Sequence, residues 1–583
     1  MAAFLNLIVF CLIEFNLSIQ QPTVTKTDLE KSLYEVQDNV LIKTRDGAEI
    51  SAIVVRKKGI ESPKPVIFQF TIYVRDTDRD LNELKEAVDK GYIGVIAYTR
   101  GKRFSANEIL PYEYDGNDAY DVIDWISNQK WCNGKIGMYG GSYNGFTQWA
   151  ASKKLHPALK TIVPYVAARP GLGWPMENNI FINPNYEWSF YVGNNKHLDN
   201  EVGNDRRRFR KMQDTWWETG TAYNKLDSID GTPNKLFQRW IKHPSYDEYW
   251  RNMAPYKEEF AQIDIPILSI DGYYNDSQNS GLYYLKEHYK YNPKADHYLI
   301  IGPYSHFGAQ RQGDAILNGY TVDSNALINT SEITYQWFDY ILRNGAKPKI
   351  LRDKINYQVM GANEWKSASS IDNMSNANLK LYLAHKKSEE FYSLTSQKPD
   401  KKTFLDQQVD FTDRDEYNND YYPDPIIKKE IETSNGFNFI SEPLRESVIV
   451  NGSFSGEIVA SINKKDMDIG VTLYEVLPNG TYFHLSYFIG RASYSKDITT
   501  RNLLQPNKIE IIPFSNTRLV SKKLEKGSRL LVSLNVNKNP FSQLNYGTGK
   551  EVSHETINDA SEPLEVKWYN DSFVNIPVLK KQN

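Results

Sequence analysis

Two runs early in the chain, residues 65–70 and 92–98, are almost wholly apolar, the pattern of strands buried on both faces of a parallel sheet. Between them, about 80–90 carries helical spacing. Residues 117–127 follow with Tyr120, Val122, Ile123 and Ile126 on one helical face. A third run holds Ile136 and Met138 and ends in Gly140-Gly141. A helix-compatible stretch, 146–154, comes next, then another strand at 160–165. Strand and helix alternating at crossover spacing predicts an α/β doubly wound sheet. Ahead of it, 21–59 reads as hairpin material, with 40–42 and 50–55 flanking the turn Arg45-Asp46-Gly47.

The alternation stops near Arg169. The next ninety or so residues carry Trp174, Trp188, Trp216, Trp217, Trp240 and Trp250 and a charged run at 205–211, which reads as a solvated helix face. This segment is expected to be a helical cap over the sheet's carboxyl edge. Strands resume at 266–270 and 297–301, and a helix at 332–343 closes the domain. Beyond Lys347 short alternating runs are separated by turn signals such as Pro478-Asn479-Gly480, predicting an all-β sandwich or jelly roll. The acidic, tyrosine-rich stretch 410–424 reads as a surface loop. The expected division is a leader (1–20), the first part of an α/β-hydrolase domain (21–168), the cap (169–260), the second part (261–346) and a C-terminal jelly roll (347–583).

Composition removes several functions. The net charge of -3, from 69 Lys+Arg against 72 Asp+Glu, gives no field that would draw the chain to nucleic acid. The two cysteines, Cys11 and Cys132, lie in the leader and before the third strand, so no disulfide framework is available. Nine histidines fall in no metal-ligand spacing, so neither a metal nor a cofactor is expected. The apolar run 4–13 has the length of a signal-peptide core and is too short to span a bilayer. The expectation is an exported protein, periplasmic or secreted, with no membrane insertion; its oligomeric state is left open.

The chemistry centres on Gly140-Gly141-Ser142-Tyr143-Asn144-Gly145. Strand, tight glycine turn, serine and helix is the pattern of a nucleophile elbow, although the second glycine falls one place later than in G-x-S-x-G. A serine nucleophile needs a histidine base and a carboxylate to fix that base, in the order Ser, Asp, His. Reacting groups of such sheets sit past the carboxyl ends of the strands. His288 lies in a helical stretch and His297 at the wrong end of its strand, whereas His306 lies just past the strand's end. Of Asp271 and Asp276, the loop residue Asp276 is preferred, because it can reach across to the histidine loop. Oxyanion donors are expected from the Tyr143 backbone N–H and from the loop after residue 70, where Tyr73 stands with both an amide and a phenol.

With these residues assembled, the chain resembles the CocE/NonD hydrolases, a clan that includes X-Pro dipeptidyl-peptidases, cocaine esterase, glutaryl acylases and α-amino acid ester hydrolases. The likeness runs through Arg45-Asp46-Gly47, Thr99-Arg100-Gly101, Trp131-Cys132-Asn133-Gly134-Lys135-Ile136-Gly137-Met138 and Ser142-Tyr143-Asn144-Gly145. It continues through His243-Pro244-Ser245-Tyr246-Asp247-Glu248-Tyr249-Trp250, Gly302-Pro303-Tyr304-Ser305-His306, Met360-Gly361-Ala362-Asn363-Glu364-Trp365 and Ser441-Glu442-Pro443-Leu444. The resemblance implies Ser142 as nucleophile, His306 as base, and the Tyr73 hydroxyl with the Tyr143 N–H as oxyanion hole. It also implies a jelly roll at the C-terminus. Two departures stand out. Where the clan has Gly-Trp-x-Asp this chain has Gly272-Tyr273-Tyr274-Asn275, so Asp276 serves as acid only by a one-residue shift. Tyr98 also replaces the aspartate that often precedes the clan's Arg-Gly loop.

The expected activity is hydrolysis of an ester, amide or peptide bond through an acyl-enzyme, with X-Pro dipeptidyl-peptidase-like cleavage leading. α-Amino acid ester hydrolysis or broad acyl esterase and acylase activity follows. For a substrate with a free α-amino group, Asp76, Asp247 and Glu248 are the candidate carboxylates. The non-enzymatic alternative is a glycan-binding protein with an inactive hydrolase domain.

Overall fold

A computed structural model describes residues 33–388, 390–418 and 421–580. The apolar leader at 4–13 and Cys11 lie outside the described residues. Ten strands form the first sheet: β1 (Tyr34–Lys43), β2 (Glu49–Lys57), β3 (Lys64–Thr71), β4 (Ile93–Tyr98), β5 (Cys132–Gly141), β6 (Leu159–Tyr165), β7 (Ile267–Tyr274), β8 (His297–Ser305), β9 (Ile355–Val359) and β10 (Glu364–Ala368). Their spatial order is β1-β2-β4-β3-β5-β6-β7-β8-β9-β10. Strands from β4 through β9 pair in parallel, and the two edges are antiparallel. Crossover helices α1 (Thr77–Asp89), α2 (Asp115–Ser127) and α3 (Tyr143–Lys153) cover the faces. The apolar runs have the reason expected of them: β4 is buried throughout and β3 nearly so, with Phe68 and Val95 wholly inside.

The expected second break at Lys347 is corrected. β9 pairs in parallel with β8 and turns back into β10, so the first sheet continues to Ala368. Isolated short strands look alike whichever sheet they join; the partner, which the local pattern does not encode, decides the domain. From Ala377 onward fourteen strands build the C-terminal β domain, antiparallel except for Phe391–Thr395 beside Phe437–Ile440. Short helices spread over 184–262 make the cap. In the charged run, Arg208 is not merely solvated, since it binds Asp230 in a bidentate pair at 2.7 and 2.6 Å. No described helix is long and apolar enough to cross a membrane.

The two domains are pinned together behind the sheet's carboxyl end. The stretch 410–424 is no free surface loop: Phe411 is buried, and the Tyr422 hydroxyl donates to the Tyr274 carbonyl at 3.0 Å. Arg518 of the β domain forms a buried two-point pair with Glu177, and its Nη2 also donates to the Asp276 carbonyl at 2.8 Å. Removing one partner strands a buried charge. Glu177→Ala is therefore expected to cost about 3–5 kcal/mol, read as a lower denaturant midpoint. An unchanged midpoint would show that the pair does not hold the domains.

Candidate active site

β5 runs into α3 through Ser142, which sits at φ 61 and ψ -120, a region an L-residue occupies only when its surroundings force it. The forcing contacts are backbone bonds. The Ser142 N–H donates to Tyr165 O at 3.1 Å, and the Ser142 carbonyl accepts from Gly145, Phe146 and Ala168. Gly145 explains the displaced glycine of the motif, because a Cβ there would lie 2.8 Å from the Ala167 Cα, where the helix crosses the chain leaving β6. Tyr143 anchors the start of α3. Its hydroxyl donates to Asp115 at 2.9 Å and accepts from the Tyr112 N–H at 3.0 Å. Burial pushes the Asp115 carboxyl up to about 8.

Ser142 and His306 line one cavity of about 650 Å³. The Tyr73 hydroxyl lies 3.4 Å from Ser142 Oγ. Burial pushes the Tyr73 phenol up, against the opposing pull of Ser142, Trp188 and the Tyr143 amide, so it stays a neutral donor at ordinary pH. That hydroxyl and the Tyr143 N–H can both face an oxygen that gains charge when a carbonyl is attacked at Ser142. With one such donor removed, Tyr73→Phe is expected to lower kcat by about 10²-fold with little change in stability. Unaltered kcat on an aryl ester would remove Tyr73 from the oxyanion site.

His306 follows β8, as expected. Its Nδ1 has two partners: Asn275 Oδ1 at 2.8 Å and Asp276 Oδ1 at 3.2 Å. The acid position is therefore shared. Asn275 is buried and makes the shorter contact, while the Asp276 side chain is 57% exposed and supplies the charge. Asn275 is itself oriented from behind, its Nδ2 donating at 2.8 Å to Asp271. Burial pushes the Asp271 carboxyl up to about 7. Burial would also lower the imidazole, but the Asp276 charge and hydrogen bond win and His306 ends above its ordinary value. Desolvation pulls Asp276 up, but the facing imidazole, the Ser277 N–H and the Arg518 charge together hold it below its ordinary value. With Nδ1 occupied, Nε2 is the ring nitrogen left to take a proton.

The cavity wall is aromatic, with Trp174, Trp188, Tyr112 and Tyr191 on it, and Trp188 stacks on Tyr112 at 5.7 Å. Of the three candidate substrate carboxylates only Asp76 lines it. Asp247 is committed elsewhere, holding His243 Nδ1 at 2.7 Å and capping a short helix at Tyr249. Glu248 is exposed. The reason is Trp250, which packs into the core beside Gly171 and leaves the preceding acids on the outside. Sequence reasoning set Asp271 aside for Asp276, while the clan's spacing put Asn275 at the acid position; the structure has Asn275 in direct contact with His306 and Asp271 behind it.

A strained elbow serine and a carboxylate-backed imidazole at the carboxyl end of a mostly parallel sheet define an α/β-hydrolase. Comparison with known proteins gives its relatives. Residues 46–308 match the X-Pro dipeptidyl-peptidase (S15 family), and residues 351–561 match the X-Pro dipeptidyl-peptidase C-terminal non-catalytic domain. Cocaine esterase of Rhodococcus sp. (strain MB1 Bresler) is 23% identical over 94% of this chain and 99% of that relative. Among solved structures, an aminopeptidase from the marine sediment archaeon Thaumarchaeota archaeon superposes with a TM-score of 0.78 at 19% identity, covering 97% of this chain and 99% of that one. An α-amino acid ester hydrolase does so with 0.75 at 20%, covering 97% and 100%; both likenesses show the shared fold. The chain is thus similar, over most of its length, to the X-Pro dipeptidyl-peptidase (S15) family and to cocaine esterase, and is an acyl hydrolase.

Proposed function

We propose that Ser142, His306 and the Asn275–Asp276 pair form the catalytic machinery of a serine acyl hydrolase that takes α-aminoacyl or dipeptidyl substrates. Ser142 Oγ bonds to the substrate carbonyl carbon while its proton passes to His306 Nε2. The C–O or C–N bond then breaks, and the same proton leaves with the alcohol or amine. Water repeats the sequence on the acyl-enzyme and restores the serine. Asn275 holds the Nδ1–H tautomer, and Asp276 stabilises the imidazolium by charge. The observation that carries this reading is the strained Ser142 opening into the same cavity as a His306 held at Nδ1.

Asp76, exposed beside the aromatic wall, is the group that would meet a free α-ammonium; it spends one oxygen capping α1 at Asp78, at 3.3 Å. A second reading, a broad acyl esterase, is favoured by the absence of Asp247 and Glu248 from this wall. Rates on Ala-Pro and Gly-Pro anilides, phenylglycine methyl ester and phenyl acetate separate the two. Aminoacyl specificity predicts that the first three exceed their N-acetylated forms and that Asp76→Asn narrows the gap. Equal rates with and without the free amine would overturn it in favour of the esterase.

A further inference from the structure

A second cavity of about 490 Å³ lies next to the one that holds Ser142, between the ends of β3, β5 and β6 and helices α1 and Thr330–Arg343. The two share a wall that includes Gly141, Asn144, Arg79 and Gln310. Gln310 is the partition. Its Nε2 donates to the His306 carbonyl at 2.8 Å, and its Oε1 lies 2.2 Å from where a Gly141 Cβ would stand, so only glycine lets this side chain close over the elbow. Beyond, the space continues past Arg311 to an open groove at the surface.

The cavity's hydrogen-bonding capacity is partly spent. Glu83 is occupied by Arg75, Gln69 and Tyr139 at 2.8, 2.6 and 2.9 Å, and Arg75 gives its remaining edge to Asp80 at 2.9 Å. Glu86, at the outer mouth, accepts from Ser331 at 3.5 Å. Two charged groups remain. The exposed Arg79 and Arg311 guanidiniums make no ion pair among the described residues.

From this we infer that the second cavity is a leaving-group subsite for an alcohol or amine that ends in a carboxylate, such as the amino-acid or short-peptide end of a peptide or a hydroxy acid. The departing group's carboxylate reaches the guanidiniums farther along, in the bidentate geometry arginine offers. The inference rests on Ser142 being the nucleophile and His306 its base: the cavity lies on the His306 side, where Phe307 and Gln310 line both spaces, and the base is the group that protonates what leaves.

Two acetyl esters that differ only in the leaving group provide the test: phenyl acetate and 4-acetoxybenzoate, the second releasing 4-hydroxybenzoate. The wild-type enzyme is expected to favour 4-acetoxybenzoate in kcat/KM, and Arg311→Gln to lower the ratio of the two about tenfold. A ratio that Arg311→Gln leaves within twofold would overturn the subsite. Binding to Ser142→Ala gives a readout free of turnover: 4-hydroxybenzoate should bind more tightly than phenol, and adding Arg311→Gln should erase the difference. No preference between them in the Ser142→Ala protein overturns the subsite even if the esters are not hydrolysed. Conversely, undiminished hydrolysis of phenyl acetate by Ser142→Ala would refute the nucleophile and leave the binding result to stand by itself.

Discussion

Ser142→Ala is expected to lower kcat by at least about 10⁴-fold on every substrate the enzyme turns over, the scale on which nucleophile loss acts in serine hydrolases. The residual rate should come from the oxyanion donors alone. His306→Ala is expected to do the same, and the double variant to be no slower than either single one, because the two groups act in one step and their losses do not add. Folding should survive both. The Ser142 backbone, held at φ 61 by contacts to Tyr165, Gly145, Phe146 and Ala168, makes those bonds through its main chain, and alanine keeps every one of them. Steady-state kinetics with circular dichroism of each variant checks the prediction. Additive losses would mean that the two side chains work independently, and the catalytic reading would fail.

Asp276→Asn is expected to lower kcat by about 10²-fold and to move the pH–rate profile. The size follows from the split acid position. In a serine hydrolase with a single carboxylate, its amide variant loses about 10⁴, largely through the wrong histidine tautomer. Here Asn275 Oδ1 accepts from Nδ1 at 2.8 Å and keeps the tautomer, so the charge of Asp276 is what goes. The direction follows from the imidazole. Activity needs neutral His306 and so rises with pH through its pKa, which Asp276 holds above the ordinary value. Removing the carboxylate must therefore shift the acid limb to lower pH. A loss under tenfold, or a limb that moves to higher pH, would show that Asp276 is a bystander. Asn275→Asp, which restores the clan's usual residue, should bring no gain: it replaces an amide that donates at 2.8 Å to buried Asp271 with a like charge.

The elbow was legible because its pattern is local, strand, glycines, serine and helix following one another within a dozen residues, although the contacts that require Gly141 and Gly145 come from Gln310 and Ala167. The central strands were legible too, as far as unbroken apolar runs mark a parallel sheet; their order across the sheet was not. Errors arose where the answer lies across the fold. Residues 271–272 read as a break after Ile270, yet β7 runs on to Tyr274 because its neighbour β8 continues beside it, Ile301 opposite Asp271 and Gly302 opposite Gly272, after β6 has ended at Tyr165. That overrun carries Asp271 into the sheet and brings Asn275, not Asp276 alone, against His306. Residues 410–424 look polar enough for solvent, but Tyr422 and Phe411 find their partners in the other domain and in the β-domain core. Asp247 and Glu248 were placed by a motif whose buried anchor is Trp250; the acids beside it face outward.

The most direct test of the central claim is labelling with a fluorophosphonate followed by peptide mapping. One adduct is expected, on Ser142, formed faster as pH rises through the His306 titration and lost when His306 is replaced by alanine. An unlabelled Ser142, an adduct on another residue, or labelling indifferent to His306 would contradict it.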